Sequence, residues 1–175
     1  MSLKIIHTAD WHLGQTFFGY DRDEEHEAFL SWLIDILTLR QTDVLLIAGD
    51  VFDVANPSAA AQRRFFRFLR EANRHNPQLQ IVIIAGNHDS AARLEAPIPL
   101  LEELNTSIVG VVPRTDLCKI DFDSLLIPLY NKEGKREAIC LAVPYLRQGD
   151  YPASKEGKDT YVEGVTRMYR QLYDY

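Results

Sequence analysis

DVLLIAGDVFD, residues 43–53, runs through five apolar residues and then stops in a glycine, an acid and, three positions on, a second acid. An oily strand has no packing use for carboxylates at its exit, so they serve a turn or they serve chemistry. Two more runs share the pattern, LKIIHTA at 3–9 and QIVIIAG at 80–86. All three are near-continuously apolar and rich in β-branched residues, which predicts strands of a parallel sheet buried on both faces. Between them lie two segments of helical length. From about Asp23 to Arg40, Phe29, Leu30, Leu33, Ile36 and Leu37 recur on one helix face, with Asp23 or a neighbour as cap. Pro57-Ser58 opens a second helix whose Phe65, Phe68, Leu69 and Ala72 share a face, and Asn76-Pro77 closes it. Strand, helix, strand, helix, strand is the grammar of an α/β fold.

Past Asp89 the pattern changes. SAARLEAPIPLLEELN reads as a helical pair broken around Pro97 and Pro99, followed by a short strand in SIVGVV. DSLLIPLY and REAICLAVPYL flank the turn NKEGK, which predicts a β-hairpin. From about Lys158, Val162, Val165, Met168, Tyr169 and Leu172 recur at helical spacing. No internal repeat, low-complexity tract or flexible linker interrupts the chain.

At 175 residues and 46% hydrophobic composition the chain supports one domain with its own core. A net charge of −6 excludes coating of nucleic acid by a uniformly basic surface, but not local basic patches or metal ions over acidic clusters. Cys118 and Cys140 match no CxxC pattern and read as buried free thiols of a reducing compartment. The start MSLKIIHTAD carries charge and no long apolar run, so neither a signal peptide nor a membrane anchor is expected, and a cytoplasmic protein is.

Each apolar run exits into polar residues of one kind: Asp10-Trp11-His12, then Gly49-Asp50 with Asp53, then Gly86-Asn87-His88-Asp89. Ligands of open α/β sheets bind at the carboxyl ends of the strands, so the three clusters converge on one rim. Carboxylate, imidazole and amide donors without thiolates suit Mn²⁺, Fe or Zn²⁺. Asp10 and His12, two apart on an extended segment, are expected on one side. Asp50 can bridge two ions about 3.5–4 Å apart, the clamp used on phosphate esters. His88 is free to act as an acid toward a leaving oxygen, and Asp53 is placed to orient it.

ADWHLGQ (9–15), EHEAFLSWL (25–33), GDVFDVANPS (49–58) and AGNHDS (85–90) resemble the calcineurin-like metallophosphoesterases, and among them the SbcD-type nuclease subunits of DNA double-strand-break repair; VPYLRQGD (143–150) is similar with departures. The resemblance covers most of the chain. It implies a layered α/β sandwich with sheets flanked by helices, here the amino-terminal portion of one nuclease domain over residues 1–175. Asp10, His12 and Asp50 would hold one manganese, and Asp50 and Asn87 would begin the second site. His88 would be the catalytic histidine, with Asp53 in support. The substrate would be DNA phosphodiester cut by a metal-activated water; the partners, an SbcC-type coiled-coil ATPase and a second copy of the chain. The family completes its metal set with a histidine and a GHxH motif further on, whereas no histidine follows His88 here. Weak manganese binding and no DNA cleavage are expected of this stretch by itself. The three motifs alone also fit a phosphatase or small phosphodiesterase, and a third reading is a non-catalytic interaction module.

Outside the motifs, His7 is expected in the core, His75 in solvent and His26 as a half-buried cap near the site. Trp11 and Trp32 are expected to pack. Arg63, Arg67, Arg70 and Arg74 form a stripe that reads as a solvated face more readily than as a DNA track. GQTFFGYDRD (14–23) leaves the rim directly and is the better candidate for touching substrate. Leu100, Leu101 and Leu104 are the expected self-association face.

Overall fold

The computed structural model describes residues 2–153 and 160–175. In chain order the elements are β1 (Ile5–Thr8), the short pair β2 (Thr16–Phe17) and β3 (Tyr20–Asp21), α1 (Asp23–Leu39), β4 (Val44–Ala48), α2 (Ala59–His75), β5 (Gln80–Ile84), α3 (Ala91–Glu95), α4 (Ile98–Leu101), β6 (Thr106–Val109), β7 (Leu126–Tyr130), β8 (Arg136–Leu141) and α5 (Tyr161–Asp174). β1, β4, β5 and β6 form a parallel sheet in the order β1-β4-β5-β6, with Thr8, Ile47 and Ile83 in register across three strands. That register brings the exits of β1, β4 and β5 to one edge.

The continuous hydrophobicity of the central strands is used on both faces, as expected. Leu45, Ile47, Ile81, Ile83 and Ile108 join a core with α1 and α2, whose Leu30, Leu33, Leu37, Phe65, Phe68 and Leu69 are buried. Val44, Val82 and Val109 face a second core with Leu125, Leu129, Val143, Met168 and Leu172. The α/β sandwich therefore has three layers: helices α1 and α2, the sheet, and the β7–β8 hairpin with α5. Gln80 joins sheet to hairpin, its Nε2 donating to the Pro128 carbonyl at 2.7 Å and its Oε1 accepting from the Tyr130 N–H at 3.2 Å. Ser58 caps α2 by accepting from the Ala61 N–H. Arg64 ties the helices together through Asp23 at 2.7 Å and Glu27 at 3.0 Å.

Several expectations are corrected. β1 is an edge strand with Ile5 43% exposed, and His7 is exposed instead of in the core, because the covering layers do not reach that face. α1 starts without a side-chain cap: Arg22 is the N-cap, and Asp21 accepts from the Asp23 N–H. Trp11 is buried as expected, but Trp32 is 55% exposed. Both cysteines are free, yet Cys118 is exposed and Cys140 only half-buried, its thiol pushed up by desolvation. Leu101 is buried and Leu104 packs on the same core, so these two are not a self-association face; the side chain of Leu100 lies outside the described residues. The expected start of the last helix near Lys158 also lies outside them. His75 is exposed, as expected. Among the described residues no helix is long and apolar enough to cross a membrane.

Candidate metal centre

The exits of β1 and β4 are stitched together by backbone bonds. Asp10 N–H donates to the Gly49 carbonyl at 3.1 Å, His12 N–H to Asp50 at 2.9 Å and Leu13 N–H to Val51 at 2.9 Å. This requires sharp turns: Asp10 has φ +56°, His12 +47° and Asp50 +49°. Asp10 and His12 thus come together through left-handed backbone, not through the extended alternation anticipated from their spacing. Asp and His tolerate that region better than most side chains.

One ligand atom each from Asp10, His12 and Asp50 lies within 4.8 Å of the others. Asp10 is exposed, His12 and Asp50 partly covered. His12 Nε2 is 3.8 Å from Asp10 Oδ1. Its Nδ1 is buried 3.2 Å from Asp53 Oδ1, the approach of an ion pair without an aligned hydrogen bond. The ring is thus set between two carboxylates, one on each nitrogen.

The third exit docks on the second. Asp50 Oδ1 accepts the His88 N–H at 2.9 Å. Gly86 makes that approach possible, since a Cβ there would lie 2.1 Å from Asp50 Oδ1 and 2.3 Å from its backbone nitrogen. Asn87 is exposed and shares with Asp50 a cleft of about 310 Å³ walled by Val143, Tyr145 and Tyr169. A larger cavity of about 720 Å³, with Arg114, Lys119 and Tyr151 in its wall, shares none of the predicted site residues.

His88 is exposed at the rim. Its Nδ1 lies 2.7 Å from the backbone carbonyl of Asp53, which accepts only from a protonated nitrogen and so leaves Nε2 as the ring nitrogen without that bond. That bond, with Asp50, Asp53 and Asp89 nearby and against a desolvation cost, holds the His88 pKa above its ordinary value. His12 and His88 meet edge to face at 4.9 Å. Asp53 therefore steadies His88 by its carbonyl, not by the carboxylate expected to do so; the carboxylate serves His12.

Asp89, Gln15 and Arg22 have roles in the centre that went unread in the sequence. Asp89, 3% exposed, accepts from the N–H groups of Val51, Phe52 and Gly86 at 3.2, 3.0 and 2.9 Å, pinning the second exit to the third. Gln15 donates from Nε2 to Asp53 Oδ1 at 3.2 Å and accepts from Arg22 Nη1 at 2.6 Å. His26, in contrast, is buried with both ring nitrogens unpartnered and is not among the ligand groups.

Carboxylates, imidazoles and an amide at three abutting strand exits are the donor set of a hard or borderline divalent cation. A family model described as calcineurin-like phosphoesterase matches residues 3–162. The chain belongs to the calcineurin-like phosphoesterase family. Within it, the chain is similar to the SbcD subunit of the nuclease SbcCD from three bacteria. Identity is 48% over 171 residues in Rhodobacter capsulatus, covering 97% of this chain and 42% of that protein. In Escherichia coli K12 it is 33% over 180 residues, 98% of this chain and 41% of the relative; in Bacillus subtilis it is 39% over 122 residues, 70% and 31%. The chain spans about two fifths of the length of the first two relatives. The family implies a divalent metal, and the Asp10–His12–Asp50 group, with one ligand atom from each within reach of the others, fits such an ion.

Proposed function

We propose that the chain is the amino-terminal part of a manganese-dependent DNA nuclease domain that works with an SbcC-type ATPase. The observation that carries the reading is the Asp10–His12–Asp50 group beside His88, at the exits of adjacent parallel strands. Asp10, His12 and Asp50 would hold one ion, while Asp50 and Asn87 would begin a second. Two such ions, when bound, polarise the phosphoryl group and activate water.

The remaining work falls to the chain's own side chains. Asp53 fixes the His12 ring from behind, as carboxylates do for metal-bound imidazoles. His88, protonated on Nδ1 toward the Asp53 carbonyl, presents Nε2 and, with its raised pKa, can hand a proton to the departing oxygen. The similarity outside the motifs to proteins named as nuclease subunits favours DNA over a small phosphoester. The phosphatase reading rests on the motifs alone.

The arginine stripe adds no independent support for a DNA track. Arg67 pairs with Glu27, and Arg70 and Arg74 pair with Glu71, as expected of a solvated face. Self-association through a second copy has to use a surface other than Leu101 and Leu104; an unchanged mass in light scattering on tenfold dilution, at the monomer value, removes it.

The test is calorimetric titration of Mn²⁺ into the purified chain, with hydrolysis of linear DNA and of bis(p-nitrophenyl) phosphate followed in parallel. Weak Mn²⁺ binding that disappears in Asp10→Ala, with little or no hydrolysis by this stretch, is expected. Binding indifferent to Asp10 and Asp50 would sink the metal assignment. Efficient cleavage of the small ester with DNA untouched would favour the phosphatase.

A further inference from the structure

β2 and β3 form a hairpin that begins four residues after His12. Phe17 pairs with Tyr20 across a two-residue turn, Phe18-Gly19, in which both residues have positive φ, +49° and +83°. Such turns favour Asn, Asp or Gly, so a bulky aromatic at the first position is a local cost that folding does not explain. Nor does packing explain it. Phe17, Phe18 and Tyr20 are 64%, 87% and 78% exposed, with the two phenylalanine rings edge to face at 4.7 Å.

The base of the hairpin is fixed where the tip is bare. Gln15 N–H donates to the His12 carbonyl at 3.0 Å and Arg22 N–H to the Gln15 carbonyl at 3.3 Å. The Gln15 side chain spans Asp53 and Arg22, so the hairpin is bolted to the carboxylate that backs His12. The sequence running from its second strand into α1 carries Asp21, Asp23, Glu24 and Glu25, a poor track for phosphates. What the tip offers is uncharged ring faces, and nucleobases stack on such faces without regard to sequence.

We propose that Phe17, Phe18 and Tyr20 form a stacking platform for unpaired nucleobases at a DNA strand end, held at a fixed distance from the metal centre by the Gln15–Arg22 clamp. The proposal rests on the DNA reading above. It assigns the hairpin to bases and leaves the phosphates to the metal rim.

The experiment uses this chain in EDTA, so that binding is read without metal or turnover. The probe is a short duplex with a single-stranded tail carrying 2-aminopurine. Quenching of the 2-aminopurine on binding is expected. Phe18→Asn suits the turn and removes only the ring; it should weaken binding about fivefold or more, by a similar factor at low and moderate salt, because no phosphate contact is lost. Phe18→Trp should restore it. A Phe18→Asn protein that binds and quenches like the wild type overturns the platform while leaving the DNA reading standing. An equal loss on a closed circular duplex without ends also overturns it. A wild-type chain that binds no DNA defeats both.

Discussion

Asp53 sets its carboxylate Oδ1 3.2 Å from Nδ1 of His12. The same residue offers its main-chain carbonyl to His88, so substitution separates two roles that are fused in one position. Asp53→Asn should weaken Mn²⁺ binding about tenfold or more, the usual scale for losing the partner of a ligating imidazole. His88 should keep its Nδ1-protonated form, because the carbonyl stays. Titration calorimetry reads the first and histidine ¹⁵N shifts the second. A His88 tautomer that changes with Asp53→Asn would mean the carboxylate, not the carbonyl, governs it.

Gln15 extends that support outward. Its amide has one orientation: the nitrogen meets a carboxylate and the oxygen meets a guanidinium, and a flip would set oxygen against oxygen and N–H against N–H. Gln15→Leu keeps the bulk and removes both bonds. We expect Mn²⁺ affinity to fall severalfold, with Arg22→Leu producing a similar loss and the double variant less than the product of the two, since they act along one chain of contacts. Fully independent losses measured by calorimetry would show that Gln15 and Arg22 do not act through each other.

Much of this architecture was legible. The apolar runs at 44–48 and 80–84 could only be double-faced strands, and their polar exits had to meet once the strands ran parallel. What stayed hidden depends on backbone geometry that spacing does not encode. Alternation along an extended segment paired Asp10 with His12 for the wrong reason, since both have left-handed φ. A main-chain carbonyl has no letter, so the sequence could suggest Asp53 beside His88 but not which of its oxygens arrives. Edge position explains His7: β1 reads like β4, but one neighbour and incomplete cover leave its alternate residues in water. Leu101 looked surplus to the surface because the turn at Ala96-Pro97, which carries it into the core with α2, has a direction that is not written in periodicity.

Asp89 is the structural keystone of the rim. Its two oxygens accept three N–H groups from two different exits, those of Val51 and Gly86 beside Asp50 and Asn87 and that of Phe52 beside Asp53. Asp89→Ala strands those donors in a site too tight for easy hydration, and should cost on the order of 3 kcal/mol in urea unfolding. A loss below about 1 kcal/mol would mean that water replaces the carboxylate freely.

Gly86→Ala makes a sharper demand. The new Cβ would meet both Asp50 Oδ1 and the Asp50 backbone nitrogen, and the latter cannot swing aside as a side chain can. The exit of β5 must then back away from that of β4, breaking the His88 N–H bond to Asp50. Loss of measurable Mn²⁺ binding is expected together with a stability cost of about 1–3 kcal/mol. A variant with unchanged melting temperature and metal affinity would show that the two exits are further apart in solution than this packing allows.

His26 links stability to pH. Its ring is buried without a hydrogen-bond partner, and desolvation, then the cations Arg22 and Arg64, push its pKa below the ordinary 6.5 against the opposing pull of Asp23 and Glu25. The folded state therefore prefers the neutral ring, while the unfolded chain takes up a proton at the ordinary value. The sign follows: this contribution is fully present above pH 6.5 and is lost as pH falls through that value toward the lower folded pKa. Denaturant midpoints of the wild type should drop between about pH 7 and 5 more steeply than those of His26→Leu, which has no proton to gain there. Because the test needs no metal, it separates His26 from the rim histidines, and an identical slope in the two proteins would mean that the buried ring finds a partner for its charge.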